Sequence, residues 1–286
     1  MNRLIVILLM LVAMPAQAEP ETLVQAVQMP AWLHRETNIT PLRVGTTLHN
    51  GDKLLTGSNA RIYVQTADGS TVKLGESAAL TLTGLSAARA PDSVFSAVLN
   101  VGKGAFRFTT GALAKLKGRN VTVKVASATL GIRGTDVWGK DGDEQGVVCL
   151  IEGKIEVTGA DNQPFVMDQP LSFYKMPKGA EPLPVAPVDP EQLKKWAVET
   201  DLSQPATQLG GKWKVNLMTA QDRQSALAAY DLWREAGYDV RLLPTGLAGD
   251  EAYTLRIVQI PSRDEAEKLA KLLQGRLGAE NPAVSR

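Results

Sequence analysis

Trp213-Lys214-Val215-Asn216-Leu217-Met218 opens the stretch whose pattern decides how the last part of the chain folds. Trp213, Val215 and Leu217 share one face at period two, as in a half-buried strand. Ala226, Leu227, Ala229, Tyr230, Trp233 and Ala236 follow at helical spacing, and Gly237 sits where a helix would end. Val240 and Leu242 give a second strand stopped by Pro244. Tyr253, Leu255 and Ile257 give a third, with Thr254 and Arg256 on its other face. Ser262-Arg263-Asp264-Glu265 reads as a capping box for a helix striped by Ala266, Leu269, Ala270 and Leu273. A short last strand near Ala283-Val284 completes a βαββαβ order. Helices on one face of so small a sheet leave the other face free.

This stretch resembles the SPOR domain, a bacterial module that binds peptidoglycan glycan strands stripped of their stem peptides. Such domains carry an aromatic-x-Val-Gln-hydrophobic-Gly-Ser-Phe opening and a Tyr-Arg-Val-x-Val-Gly-Pro-Phe strand before the second helix. The counterparts here are Trp213-Lys214-Val215-Asn216-Leu217-Met218-Thr219-Ala220 and Tyr253-Thr254-Leu255-Arg256-Ile257-Val258-Gln259-Ile260. Both glycines are absent, and Asn216 stands where glutamine is usual. The alternation turns Lys214, Asn216 and Met218 on one strand, and Thr254, Arg256 and Val258 on the other, away from the helices. Amide, guanidinium and ammonium groups on a shallow surface can hydrogen-bond a sugar chain. The resemblance accordingly implies glycan binding by Lys214, Asn216, Thr254 and Arg256, and enrichment at the division septum. Trp213, Tyr230 and Trp233 have the periodicity of core residues rather than of sugar-stacking platforms.

The composition narrows the function classes. Of 286 residues 44% are hydrophobic, and the formal net charge is +1, too little excess for a nucleic-acid surface. A single cysteine, Cys149, excludes an intramolecular disulfide framework, and His34 and His49 are the only histidines. Residues 1–18 combine Arg3, an apolar run from Leu4 to Met14 and Ala16-Gln17-Ala18, the pattern of a cleaved signal peptide. They predict an exported, periplasmic protein beginning near Glu19, with no transmembrane segment in the mature chain.

Residues 19–176 read as an all-β domain. Asn50-Gly51-Asp52 and Ala67-Asp68-Gly69-Ser70 are turn signals between alternating runs such as Arg61 to Thr66 and Thr71 to Leu74. Further strands are expected at 79–82, 94–99, 105–109, 121–125, 147–151 and 154–158, with a glycine- and acid-rich loop at 139–146. A β-helix-like solenoid and a sandwich both suit such a pattern. Several phrases here are similar to the FecR domain: Gly51-Asp52-Lys53-Leu54-Leu55-Thr56-Gly57, Ala67-Asp68-Gly69-Ser70-Thr71-Val72-Lys73-Leu74-Gly75, Thr129-Leu130-Gly131-Ile132-Arg133-Gly134-Thr135-Asp136 and Val148-Cys149-Leu150-Ile151-Glu152-Gly153-Lys154-Ile155-Glu156-Val157. The FecR domain is known from the periplasmic part of membrane-spanning anti-sigma regulators. The resemblance implies a protein- or wall-interaction role.

Between these parts, 177–209 holds Pro177, Pro182, Pro184, Pro187 and Pro190. That composition predicts a semi-rigid spacer, with a brief helix capped by Asp189-Pro190 and running through Trp196. The expected whole is a multidomain chain: signal peptide (1–18), FecR-like domain (19–176), linker (177–209) and a small α+β SPOR-like domain (210–286). Arg133-Gly134-Thr135-Asp136 reads as a tight surface turn, Asp141, Asp143 and Glu144 as a solvated acidic turn, and Cys149 as a small buried hydrophobe. With no Gly-x-Ser-x-Gly elbow and no histidine near evident triad partners, no enzyme, metal or cofactor is expected. The leading expectation is a peptidoglycan-binding periplasmic protein; the alternative is a signalling receptor subunit whose FecR-like domain meets a membrane partner.

Overall fold

The computed structural model describes residues 21–86, 94–112, 114, 119–245 and 251–286. The signal peptide read at 1–18 lies outside the described residues. The chain begins with β1 (Leu23–Gln28), β2 (Ala31–Arg35), β3 (Asn38–Pro41), β4 (Lys53–Thr56), β5 (Arg61–Gln65), β6 (Thr71–Leu74) and β7 (Ala79–Ser86). Next come β8 (Phe95–Thr109), β9 (Arg119–Val125), β10 (Ala128–Ile132), β11 (Asp136–Asp141) and β12 (Gln145–Glu152). After them run β13 (Ile155–Thr158), β14 (Pro164–Met167), β15 (Ser172–Pro177), β16 (Ala186–Pro187), α1 (Pro190–Thr200) and β17 (Thr207–Gln208). The last part is β18 (Trp213–Ala220), α2 (Arg223–Glu235), β19 (Val240–Pro244), β20 (Tyr253–Ile260), α3 (Arg263–Leu273) and β21 (Ala283–Ser285).

The choice left open between solenoid and sandwich falls to the sandwich. One sheet runs β17-β1-β5-β6-β8-β11-β12-β15-β16. The other runs β3-β2-β4-β7-β8-β9-β10-β13-β14. Neighbours are antiparallel except β8 and β9, whereas a solenoid would stack its strands in parallel. Ile62, Val64, Val72, Leu74, Phe106 and Phe108 from the first sheet meet Leu54, Leu80, Leu99, Val123, Leu130 and Val157 from the second in one buried core.

Strand β8 belongs to both sheets. Residues 95–103 pair within the second and 104–109 within the first, so the two strands expected at 94–99 and 105–109 are one. The crossing point is Gly104, at φ +81°, where a Cβ would stand 2.5 Å from that of Ala78. Only glycine takes this backbone angle and this approach together. The glycine- and acid-rich loop expected at 139–146 is also mostly strand. Gly139 is a clearance for Phe106, whose ring lies 2.5 Å from where its Cβ would be, and the turn shrinks to 142–144.

The segment 177–209 is docked rather than extended. On β12 both phases are apolar: Val148 and Leu150 face the core, while Val147 and Cys149 are buried on the outer face. A strand buried on both sides needs a second cover, and α1 supplies it. Asp189 caps the helix by accepting from the backbone of Glu191 and Gln192. Trp196 stacks on Trp138 with ring centroids 4.8 Å apart, and Lys140–Glu199 and Lys73–Asp201 pair across the helix end at 2.7 and 2.6 Å. β16 and β17 flank the helix by joining opposite edges of the first sheet.

The C-terminal unit has the βαββαβ order read from its sequence. Its sheet runs β19-β20-β18-β21, and Trp233, Leu269 and Leu273 from the helices pack on Val215, Leu255 and Ile257. Trp213 and Tyr230, expected in the core, lie at its margin and are half-buried. The unit sits on the sandwich through the end of α2. Ala31 N donates to Gly237 O at 3.0 Å and Trp32 Nε1 to Glu235 O at 3.2 Å. Arg43 pairs with Asp239 at 3.2 Å, and Met29 packs against both cores.

Gly237 is fixed twice, by φ +85° and by Trp32, whose ring lies 2.6 Å from where a Cβ would be. Gly275 has a similar φ of +77° and open space around it. Gly275→Ala should therefore cost only the left-handed backbone, about 1–2 kcal/mol, while Gly237→Ala should add an overpacking cost of about 1–3 kcal/mol. Urea unfolding midpoints of the two variants check this; equal losses would mean that the contact with Trp32 contributes nothing.

Burial of Cys149 beneath α1, followed by the nearby Asp136 charge, pushes its thiol up to about 12 against the pull of Arg107. The thiolate is the reacting form, so at pH 8 roughly one part in ten thousand is reactive even before access is counted. The folded chain should resist a thiol-disulfide reagent such as DTNB for hours and react at once in urea. Fast reaction of the folded chain would show that α1 does not stay docked.

Candidate functional site

The face of the C-terminal sheet turned away from α2 and α3 collects the four residues that the sequence singles out. Val215, Leu255 and Ile257 alternate into the core, so their neighbours Lys214, Asn216, Thr254 and Arg256 emerge opposite, all half-buried. Asn216 lies directly across from Arg256, and directly opposed residues on adjacent strands point the same way. Thr254 is two residues along β20 from Arg256, and Lys214 two residues along β18 from Asn216.

Two irregularities reshape the surface. The β18–β20 register skips at Leu217, so that Met218 stands opposite Leu255 and packs against the core. The expectation that Met218 lies on the free face is thereby corrected. A β-bulge inserts one residue and reverses the facing of those beyond it, which brings Thr219 out opposite Thr254. Their hydroxyls lie 3.3 Å apart, and Thr245 Oγ1 stands 3.3 Å from Thr254 on the other side. A second skip falls near Gln259, whose φ of +63° is left-handed.

Strand pairing adds a residue that the sequence reading passed over. Arg241 of β19 lies directly across from Arg256. The alternation of Val240 and Leu242 already turned Arg241 away from the helices; what the sequence did not give was its partner strand. Asn216 Nδ2 donates to Ser285 Oγ at 3.3 Å, and Lys214 Nζ to the carbonyl of Arg286 at 2.8 Å. One row thus reads Arg241, Arg256, Asn216, Ala283 from β19 to β21, and Ser285 stands one pair further along, opposite Lys214. The arginine Nε atoms are buried without hydrogen-bond partners. Asp239, between Arg43 and Arg241, is the carboxylate in ion-pair range of this face among the described residues. The arrangement offers guanidinium, amide, ammonium and hydroxyl groups on a shallow, basic surface. It suits noncovalent capture of a hydrogen-bonding, electron-rich ligand.

The other motifs have structural partners. Gly134 takes φ +76° in a turn after β10, and Asp136 is gripped by Arg107 at 2.9 and 2.7 Å with Thr109 beside it. Asp141 pairs with Lys178 at 3.1 Å and Asp143 with Lys103 at 3.7 Å, so this turn is tied by ammonium groups.

Among the described residues the second sheet ends in β3 and β14, each paired on one side only. Ile39 and Val166 on these edge strands are 61% and 48% exposed. Unpaired edges of this kind can accept a strand from another chain.

Comparison with curated proteins gives no match. Two crystal structures of a candidate anti-sigma factor from Parabacteroides distasonis are similar at 15% identity. One covers 82% of this chain and 98% of its own with a TM-score of 0.40; the other covers 78% and 89% with a TM-score of 0.41. The family described as FecR protein matches residues 52–156, the stretch from the turn before β4 into β13 that supplies most of the sandwich core.

Proposed function

We propose that this chain is a non-enzymatic regulatory protein of the periplasm whose FecR-like sandwich binds a protein partner at the membrane. The observation that carries this reading is the FecR match over residues 52–156. The open edges at β3 and β14 supply surfaces for such a partner, and the leader read at 1–18 supplies the export route. Partner and compartment are both part of the proposal.

A second reading concerns the C-terminal unit. The direct opposition of Asn216 and Arg256 on an open face favours a saccharide ligand, with Lys214 and Thr254 at its margins. The resemblance to SPOR domains names that ligand as denuded peptidoglycan glycan. On this reading the chain would be held on the wall, with enrichment at the septum, while its sandwich meets the partner.

The two readings separate with one double variant, Asn216→Ala with Arg256→Ala. Proximity labelling in cells should mark the same membrane protein from the variant as from the unaltered chain. Changing the edge residues Ile39 and Val166 to lysine should abolish that labelling. If labelling follows the double variant and ignores the edges, the sandwich is not the partner's site. On the glycan side, the double variant should lose binding to amidase-treated sacculi. A hydrogen bond to a charged group is worth about 1.5–3 kcal/mol, or about ten- to a hundredfold in affinity. Thermal stability should move far less than for a core substitution, because neither half-buried side chain belongs to the core of the unit and the one hydrogen bond lost within the chain, Asn216 to Ser285, is worth about 0.5–1.5 kcal/mol. Co-sedimentation equal to that of the unaltered chain would rule out the glycan reading.

A further inference from the structure

On one side of the sandwich the second sheet ends in β14, and the first in β15 with the short β16. Phe165 of β14 and Tyr174 of β15 close the core there as an edge-to-face pair, ring centroids 5.0 Å apart. Outside this pair runs a groove of about 1060 Å³ walled by Pro182, Leu183, Pro184 and Val185. Leu183 N donates to the carbonyl of Lys175 at 2.9 Å, which ties that wall to the first sheet. Leu183 and Val185 are nonetheless 47% and 41% exposed, so apolar surface is left uncovered beside an unpaired strand. Asp161 and Glu181 line the same groove, no lysine or arginine does, and among the described residues neither carboxylate has an ion-pair partner. Burial, then the Asp161 charge, raises the Tyr174 phenol above its ordinary value. On the outer face Glu156 stands directly opposite Val166, and Asp168 follows the strand.

β14 has four residues and starts at a proline, so its backbone alone offers a partner only a few ladder hydrogen bonds. The groove must supply the rest of the affinity. We infer that β14 and this groove hold an extended segment of a protein partner, one that alternates apolar and basic residues and adds to the second sheet as a further strand. The inference rests on the reading of the sandwich as the protein-binding body, and adds to it the form and charge of the segment bound. Side chains of one parity on such a strand enter the groove against Phe165 and Leu183. Those of the other parity meet the outer face, where Glu156 neighbours Val166. The same charges decide against a second copy of this chain as the occupant. Twofold pairing of β14 with itself would bring Glu156, Asp161, Asp168 and Glu181 toward their own counterparts, and opposed like charges destabilise such a pair. The opposite edge of this sheet, β3, lies against α2 instead.

The test titrates the full chain with short fluorescein-labelled peptides, read by anisotropy at fixed ionic strength. One alternates valine and arginine, a second has glutamate for arginine, and a third is the arginine peptide with its backbone amides methylated. The arginine peptide should bind about fivefold or more tightly than the glutamate peptide, the gain expected from two exposed ion pairs, and added salt should narrow the gap. Methylation should cost about tenfold or more, because it removes the ladder hydrogen bonds. Asp161→Asn combined with Glu181→Gln should remove most of the charge preference. Leu183→Lys should weaken the arginine peptide, and Ile39→Lys on β3 should leave all three titrations unchanged. Equal binding of the arginine and glutamate peptides, undiminished binding of the methylated one, or no binding of any overturns the inference. So does binding that follows Ile39 and ignores Leu183. Concentration-dependent self-association in sedimentation, lost in Leu183→Lys, would seat a second copy in the groove and overturn it as well. None of these outcomes alters the proximity labelling on which the reading of the sandwich stands, so the two fail separately.

Discussion

Backbone hydrogen bonding along β8 ties the two layers of the sandwich into one ladder. Its first part lies between β7 and β9, its second between β6 and β11, and the crossing is made at Gly104 within a continuous strand. Peptide groups buried in a core must find partners, so neither sheet can slip without stranding a row of them in the other. Register then fixes facing, because a shift by one residue would exchange core and surface along a whole strand. The second apolar phase of β12, the need for α1 above it, and the return of the chain to β1 as β17 all follow from that fixed facing.

The chain's near-neutral charge conceals a local imbalance. Lys214, Arg241 and Arg256 gather on one side of a four-stranded sheet, and Asp239 is shared between Arg241 and a residue of the sandwich. Arg43 and Asp239 thus connect the open face electrostatically to the body that matches the FecR family. The surfaces suited to protein partners, the edges at β3 and β14, are built from backbone. The basic face of the C-terminal sheet is built from side chains.

Local pattern in the sequence carried much of this architecture. The alternation around Val215 and Leu255 and the stripe from Ala266 to Leu273 led directly to the C-terminal elements, and the Asp189 cap to the start of α1. Pairing between distant strands was not legible, because cross-strand partners are set by the fold and not by local spacing. Arg241 was passed over for that reason. The bulge at Leu217 was hidden for a related one: strict alternation assigns Met218 to the surface, and only its partner across the ladder shows otherwise. The proline-rich composition of 177–209 suggested a spacer, whereas the five apolar residues from Val147 to Ile151 already signalled a strand needing cover on both sides. Gly139 misled in the same way, since a glycine that makes room for a ring looks, in sequence, like one that makes a turn.

The seat of α2 on the sandwich bears on where this protein can be divided. Met29 packs against both cores, and Trp32 lies close against a glycine of the C-terminal unit with its indole nitrogen bound to that unit's backbone. A chain cut after Leu209 would keep every strand of the sandwich and yet uncover a thioether, an indole ring and the backbone amide of Ala31 at one corner. The C-terminal unit therefore completes the cover of the sandwich at this corner, and the separable pieces of this molecule are not those that its composition marks out.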